Sequence, residues 1–183
     1  MNLVEWFEKG LTPEQYINGM NVNKEGLETI LQKFEVPTED EAFLAKVQAE
    51  NLRVIVLTED WCGDAMLNVP ILLKLAEKTN MQVRMLLRDQ NLELMDQYLT
   101  NGTARAIPIF IFIDQEGNER AVWGPRAPKL QQYVMDQRSQ LPDKEDPTFA
   151  DKQSEMYKQI MQRNIEDESF WNEVYQSLKE KLQ

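Results

Sequence analysis

The chain combines amphipathic helical patterns with short, almost unbroken apolar runs. Residues 1–50 have the apolar spacing of several short helices. Residues 52–58 (LRVIVLT) instead form a run rich in β-branched side chains, which predicts a strand covered on both faces. Residues 107–114 (IPIFIFID) form a second apolar run, and residues 81–87 (MQVRMLL) also predict a strand, so we expect three strands in this part of the chain.

Helical patterns and turn residues connect these strands. The other elements predicted in the central region are a helix over 63–78, a helix from Asn91 to Asn101-Gly102, a strand over 119–124 and a helix over about 126–138. The turn DQEGN before residue 119 predicts that the last strand returns antiparallel to its predecessor. Parallel neighbours need a covering crossover helix. The order β-α-β-α-β-β-α therefore predicts an α/β fold with a central mixed sheet flanked by helices.

The two ends of the chain carry helix signals of their own. Thr12, Pro13 and Gln15 predict a helix start with a capping box, and Thr38 with Glu41 repeats that signal. We divide the chain into an N-terminal helical extension over 1–50, a core over 51–140, and a linker with a C-terminal helix or helix pair over 141–183. All three parts are expected to form one compact domain overall.

Charge and composition disfavour several classes of partner for this protein. The 183 residues include 20 basic and 31 acidic side chains, giving a formal net charge of −11. Such a surface repels phosphate backbones and anionic lipid heads, so nucleic-acid and membrane partners are disfavoured. No apolar run is long enough to span a bilayer, and the first residues lack a basic segment followed by an apolar one. A single cysteine fits a reducing compartment, and we expect a cytoplasmic protein.

The chain contains no histidine and one cysteine, Cys62. Ser-His-Asp and Cys-His mechanisms and His-ligated zinc are therefore excluded, and one thiol cannot build a zinc or iron–sulfur site within one chain. We expect no metal and no cofactor. Any chemistry must come from Cys62 or from carboxylates.

Four features around Cys62 have a familiar order. They are Trp61-Cys62-Gly63 at a strand-to-helix junction, Pro70 in the following helix, Ile107-Pro108 before a later strand, and Gly124 after the last strand. In this order and spacing, residues 52–138 resemble the thioredoxin fold. With EDWCGDA and helical extensions at both ends, the chain is similar to a bacterial thioredoxin-like family. The resemblance implies a cis bond at Ile107-Pro108 and a substrate groove kept open at Gly124.

Two departures from that family concern the same chemical step. The thioredoxin Cys-Gly-Pro-Cys is here Cys62-Gly63-Asp64-Ala65, so the resolving cysteine is missing. Val56 stands where thioredoxins bury an aspartate that assists the resolving thiol. The resemblance therefore implies monothiol thiol–disulfide exchange of the glutaredoxin type. Cys62 is the candidate nucleophile, and the candidate groove residues are Trp61, Gly63, Asp64, Ile107, Pro108 and Gly124.

Opposing effects act on the Cys62 thiol in that arrangement. A helix N-terminus favours the thiolate, whereas Glu59, Asp60 and Asp64 oppose it with no basic residue adjacent in sequence. We expect an exposed, reactive thiol that is at best moderately acidic. Asp60 and Asp64 are expected to form a solvated acidic rim, with a general acid–base pair as the alternative.

The partner and the function class remain open at this stage. The expected partner is an extended peptide or protein thiol or disulfide, with a low-molecular-weight thiol such as glutathione or bacillithiol as the alternative. Arg105 is either a contact for such an anionic thiol or a solvated side chain. A second hypothesis is a non-catalytic thioredoxin-fold module that binds peptides or proteins. A third is a redox sensor in which Cys62 joins two copies through a disulfide.

Overall fold

The computed structural model describes all 183 residues. The helices are α1 (Leu3–Lys9), α2 (Pro13–Asn18), α3 (Lys24–Lys33), α4 (Glu41–Ala49), α5 (Gly63–Thr79), α6 (Leu92–Met95), α7 (Pro128–Ser139), α8 (Phe149–Glu166) and α9 (Glu168–Leu182). The strands are β1 (Arg53–Thr58), β2 (Gln82–Leu87), β3 (Ile109–Ile113) and β4 (Glu119–Trp123). Single 3₁₀ turns occupy Thr38–Asp40 and Arg88–Gln90. No helix is long and apolar enough to cross a membrane.

The four strands form one mixed sheet in the order β2-β1-β3-β4. Strand β1 pairs in parallel with β2 and antiparallel with β3, and β4 returns antiparallel to β3. Every residue of β1 and β3 is buried, because these strands are central in the sheet and covered by helices. The predicted mixed sheet flanked by helices is confirmed.

Helices from both ends of the chain cover opposite faces of this sheet. Phe7 of α1 lies against the guanidinium of Arg53. Trp123 stacks on Phe110 and donates a hydrogen bond to Ser177 of α9 at 2.8 Å. Phe110 is opposite Val56 in the β1–β3 register. Since Arg53 and Val56 are three residues apart on one strand, they point to opposite faces, and α1 and α9 therefore cover different sides.

The capping signals had different outcomes. At α2, Thr12 accepts from the Gln15 N–H and the Gln15 side chain accepts from the Thr12 N–H, as predicted. The second capping box, at Thr38 and Glu41, was predicted wrongly, since a 3₁₀ turn without side-chain capping bonds precedes α4. Thr38 lies inside this turn instead of at its N-cap, and Asp40, the N-cap of α4, binds side chains of α9 instead of the helix start.

The helix predicted from Asn91 to Asn101-Gly102 was also wrong in length. Only the four-residue α6 is helical there, and turns follow. Thr100 and Ala104 close a small bridge, with the Thr100 N–H donating to the Ala104 carbonyl at 2.8 Å. Asn101 and Gly102 between them have positive φ angles of 53° and 72°. This local turn replaces the last helical hydrogen bonds.

The C-terminal segment is a helix pair broken at Asp167. The Asp167 carboxylate accepts from the backbone N–H and the hydroxyl of Ser169, and thereby starts α9. Buried side chains of α9, among them Val174 and Leu178, join the main core. The C-terminal helices therefore pack as part of the folded unit.

Candidate functional site

Cys62 caps the N-terminus of α5. Its backbone is extended (φ −84°, ψ 117°), and its Sγ accepts a hydrogen bond from the Ala65 N–H at 3.4 Å. The thiol can also donate to the Ile107 carbonyl oxygen at 3.5 Å. The Ile107–Pro108 peptide bond is cis. The fold thus brings Cys62 beside Ile107 and Pro108, 45 positions further along the chain.

The expected exposure of the Cys62 thiol was wrong, whereas its raised pKa agrees with the expectation of a thiol that is at best moderately acidic. Only 9% of Cys62 is exposed, and burial raises the pKa of its thiol to about 11. The Asp64 charge raises the pKa further, while the N–H groups of Ala65 and Asp64 and the charge of Arg126 lower it. The free-energy cost of removing the thiolate from water exceeds the stabilisation that the N–H groups at the start of α5 provide. In this conformation the thiol is protonated at neutral pH.

The expected solvated acidic rim was also wrong, first at Asp64. Its carboxylate is in a bidentate ion pair with Arg126, at 2.9 and 2.8 Å, and both side chains are about four-fifths buried. Arg126 donates in addition to the Gln131 amide oxygen at 2.7 Å. Arg126 precedes α7, so no spacing in the sequence relates it to Asp64. The site therefore contains a cation that the sequence analysis missed.

The two other carboxylates near Cys62 have structural partners. Asp60 accepts from the backbone N–H groups of Asn21 and Val22, at 2.8 and 3.3 Å. Glu59 is buried and accepts from the Asp89 N–H at 2.9 Å. These bonds fix the loops around the thiol. Since Asp60 is bound to the loop before α3 and Asp64 to Arg126, the alternative of an acid–base pair formed by Asp60 and Asp64 has no structural support.

The remaining predicted groove residues surround Cys62 unevenly. Trp61 is half exposed, and the guanidinium of Arg88 lies 4.9 Å from its ring centre. Ile107 and Pro108 are buried. Gly124 has a φ of +130°, and a side chain there would collide with the Pro108 carbonyl oxygen. Glycine at 124 is thus required by the close approach of two backbones.

Helix α8 covers the first turn of α5, which the sequence analysis did not foresee. The Asn164 side chain donates to the Gly63 carbonyl at 3.4 Å, and Trp171 donates to the Asn164 carbonyl at 2.8 Å. A Cβ on Gly63 would collide with Met161. Asn164 is a buried polar residue on the stripe that contains Met156 and Ile160. A polar residue within an apolar stripe can indicate a specific tertiary contact, and this pattern in the sequence could have predicted the contact of Asn164.

A cavity of about 350 Å³ lies between the first turn of α5, α7 and α8. Trp61, Gly63 and Asp64 line it from the site, and Arg126, Arg138 and Tyr157 are among its other walls. No group of three or more Cys, Asp or Glu side chains is arranged to hold a metal ion. The site can therefore offer one thiol, one ion pair and an adjoining cavity.

Comparison with known proteins agrees with this architecture. The sequence model of a family described as thioredoxin matches residues 10–140, a region that includes α2–α4 as well as the core. No curated protein matches the chain.

Two solved structures share the fold. The crystal structure of PA1234, a protein of unknown function from Pseudomonas aeruginosa, has a TM-score of 0.65 at 16% identity, over 98% of each chain. An HIV epitope-scaffold has a TM-score of 0.63 at 17% identity, over 98% of this chain and 99% of its own. Since the family match spans most of the sequence and its fold is present, the chain belongs to the thioredoxin family.

Proposed function

We propose that this protein carries out monothiol thiol–disulfide exchange through Cys62. The observation that supports the proposal is the position of Sγ at the N-cap of α5, between the Ala65 N–H and the Ile107 carbonyl and beside Pro108. An N–H group directed at sulfur stabilises both a thiolate and the sulfur that departs from a mixed disulfide. No second cysteine exists to complete a dithiol cycle.

The exchange takes two balanced steps. The Cys62 thiol first loses its proton to solvent. The resulting thiolate attacks one sulfur of a disulfide R–S–S–R′, so that a Cys62–S–S–R bond forms and R′S⁻ leaves. A second external thiolate R″S⁻ then attacks the R sulfur of this mixed disulfide. R–S–S–R″ leaves, and the Cys62 thiolate is regenerated. Electrons are conserved, because each step exchanges one S–S bond for another.

The raised pKa makes this exchange slow at neutral pH. A thiol with a pKa of about 11 is about one part in 10⁴ thiolate at pH 7. That thiolate is intrinsically more nucleophilic, by about tenfold relative to a thiol of pKa 8.5. The net attack rate is then about 30-fold below that of an ordinary exposed cysteine of pKa 8.5. Binding of the substrate beside Cys62 must therefore compensate for this lower attack rate.

Intact mass spectrometry after incubation with oxidised glutathione tests the proposal. We expect one glutathione adduct per chain, formed faster at pH 9 than at pH 7 and removed by dithiothreitol. The Cys62→Ser variant is the control and should form none. Turnover in insulin reduction should stay low, because the chain lacks a resolving thiol. Absence of any adduct on the folded chain at pH 9 would refute the exchange function.

The burial of Cys62 favours one other candidate, a non-catalytic binding module. In that case the thiol is a core residue, and the surface around Trp61 binds a partner without covalent chemistry. Alkylation with iodoacetamide at pH 9 separates the two. Labelling of the folded chain supports exchange. Labelling only after unfolding in urea supports the binding module, and a disulfide-linked dimer on a non-reducing gel would instead support a sensor.

A further inference from the structure

The cavity beside Cys62 is lined in part by apolar side chains that are exposed to solvent. Six large hydrophobic residues of this chain are exposed, and three of them, Val22, Trp61 and Tyr157, line this cavity. They come from a loop before α3, the loop before α5, and α8. An exposed apolar cluster gathered from distant segments marks a binding surface more often than chance exposure does.

The same cavity is locally basic in a strongly acidic protein. Its charged lining consists of Asp64, Arg126 and Arg138, whereas the chain as a whole carries a net charge of −11. Asp64 and Arg126 neutralise each other in their ion pair. The exposed guanidinium of Arg138 has no ion-pair or hydrogen-bond partner, so it is available to an anion. Arg126 lines the same cavity, but its guanidinium is already paired with Asp64.

The walls favour a small molecule over an extended peptide. The residues that line the cavity lie on α5, α7, α8 and three loops, and none belongs to a strand. An extended peptide would therefore find no strand edge with which to pair its main chain. A volume of about 350 Å³ is at the lower end of the range for small-molecule sites. The ligand that fits combines a compact apolar or thiol-bearing part with a carboxylate.

We propose that this cavity binds a low-molecular-weight thiol that carries a carboxylate, as the non-protein partner in exchange at Cys62. The carboxylate pairs with Arg138, and the rest of the molecule lies against Trp61 and Tyr157. Trp61 and Gly63, the two chain neighbours of Cys62, line the cavity, but Cys62 itself does not. Its Sγ faces the Ile107 carbonyl, so exchange with a ligand in the cavity requires the Cys62 side chain to turn toward it. The assignment as an exchange partner rests on the proposed function; the binding site does not.

Arg105, the sequence-based candidate for an anionic thiol, is engaged elsewhere. Its guanidinium is in a bidentate pair with Asp96, at 2.8 and 3.0 Å. This pair raises the pKa of Arg105 and lowers that of Asp96. Arg138, whose guanidinium has no such partner, is therefore the anion contact of the cavity.

Calorimetric titration of S-methylglutathione into the full-length Cys62→Ser chain tests binding without any exchange chemistry. We expect saturable binding, weakened about tenfold by Arg138→Ala and largely preserved by Arg138→Lys. The matched control is Lys158→Ala, which removes an exposed cation from α8 next to Tyr157 but outside the cavity. No binding, or equal binding in Arg138→Ala and the parent, overturns the site.

Comparison of two disulfides tests the exchange role with the Cys62 thiol intact. The rate of adduct formation with oxidised glutathione should exceed that with cystamine, which has no carboxylate, and Arg138→Ala should remove this preference without slowing cystamine. Adducts that form equally fast from both disulfides, without calorimetric binding, overturn the cavity and leave the exchange function standing. Calorimetric binding without any adduct overturns the exchange function and leaves the cavity standing.

Discussion

The C-terminal helices contact the rest of the molecule at several places, and two of these contacts differ in strength. In α9, Tyr175 and Lys179 donate to the buried Asp40 carboxylate at 2.7 and 2.6 Å. In α8, the contact with the functional site is one 3.4 Å bond from Asn164 to the Gly63 carbonyl and the packing of a methionine. Short charge-assisted bonds are stronger than long neutral ones.

This difference separates a structural role from a functional one. The Asp40 cluster holds α9 in place, whereas the contact of α8 with the first turn of α5 can change at little energetic cost. A ligand in the cavity beside Cys62 would contact α8, the helix with the weaker attachment. We therefore expect the position of α8 over the site to be adjustable while α9 stays fixed.

The largest effect is expected from Asp40→Asn, which removes the charge at the centre of the strong attachment. The substitution leaves the Lys179 ammonium, a mostly buried cation, without its partner. We expect the free energy of unfolding to fall by about 2 kcal/mol, below the full cost of breaking a buried pair because Lys179 keeps some access to water. Urea unfolding measures this loss. The control, Glu145→Gln in the exposed loop after α7, should change stability by less than about 0.5 kcal/mol.

The same cluster predicts an acid dependence. Burial raises the pKa of Asp40, but the hydrogen bonds and charge of Lys179 and the bond from Tyr175 outweigh it, so its pKa lies below the usual range. A depressed carboxyl pKa stabilises the fold above the unfolded pKa of about 4, and this contribution is lost as the pH falls through the folded pKa. The stability difference between the parent and Asp40→Asn should therefore be full at pH 6 and shrink in strong acid. A difference that grows below pH 4 would contradict the ion pair.

The sequence predicted the central sheet well, because each strand was specified locally. The apolar runs that became β1, β2 and β3 are short and bounded by turn residues, and a buried strand needs little else. The proximity of Cys62 to Pro108 followed from the family resemblance, which fixes where the ends of those strands meet. Val56, as expected for an apolar replacement, is fully buried in the sheet.

The parts that failed depend on contacts between segments distant in sequence. No local pattern pairs Asp64 with Arg126, 62 positions away, or brings Asn164 to Gly63, 101 positions away. The burial of Cys62 and its raised pKa follow from such long-range packing. A charge count over neighbouring residues therefore included the effect of Asp64 on the pKa of Cys62 but not the larger effect of burial.

A smaller effect is expected at the site itself from Asp64→Asn. The Asp64 charge raises the pKa of Cys62, and its loss leaves Arg126 to act on the thiol alone. The pKa of Cys62 should fall, and alkylation at pH 8 should accelerate by about three- to tenfold, since the thiolate fraction changes tenfold per pKa unit. Asp60→Asn is the matched control, because that carboxylate bonds to the loop at Asn21 instead. Equal acceleration in both variants would indicate general loosening.

The weak attachment of α8 can be tested by a double-mutant cycle between Gly63→Ala and Met161→Ala. Alanine at 63 meets the Met161 sulfur, but that flexible side chain can move, so we expect a loss of only about 1 kcal/mol. With Met161→Ala already present, Gly63→Ala should cost nothing, because the collision is gone and alanine is the better helix former. Urea unfolding should then give a coupling of about 1 kcal/mol.

The control cycle pairs Gly63→Ala with Met135→Ala, an exposed methionine of α7 that does not meet position 63. Its two effects should add within about 0.5 kcal/mol, as for independent sites. Additivity in the Met161 cycle as well would mean that α8 does not rest on the first turn of α5 in solution. A Met161 coupling well above 2 kcal/mol would contradict the proposed difference between the two attachments, because the α8 contact would then be as strong as the Asp40 cluster.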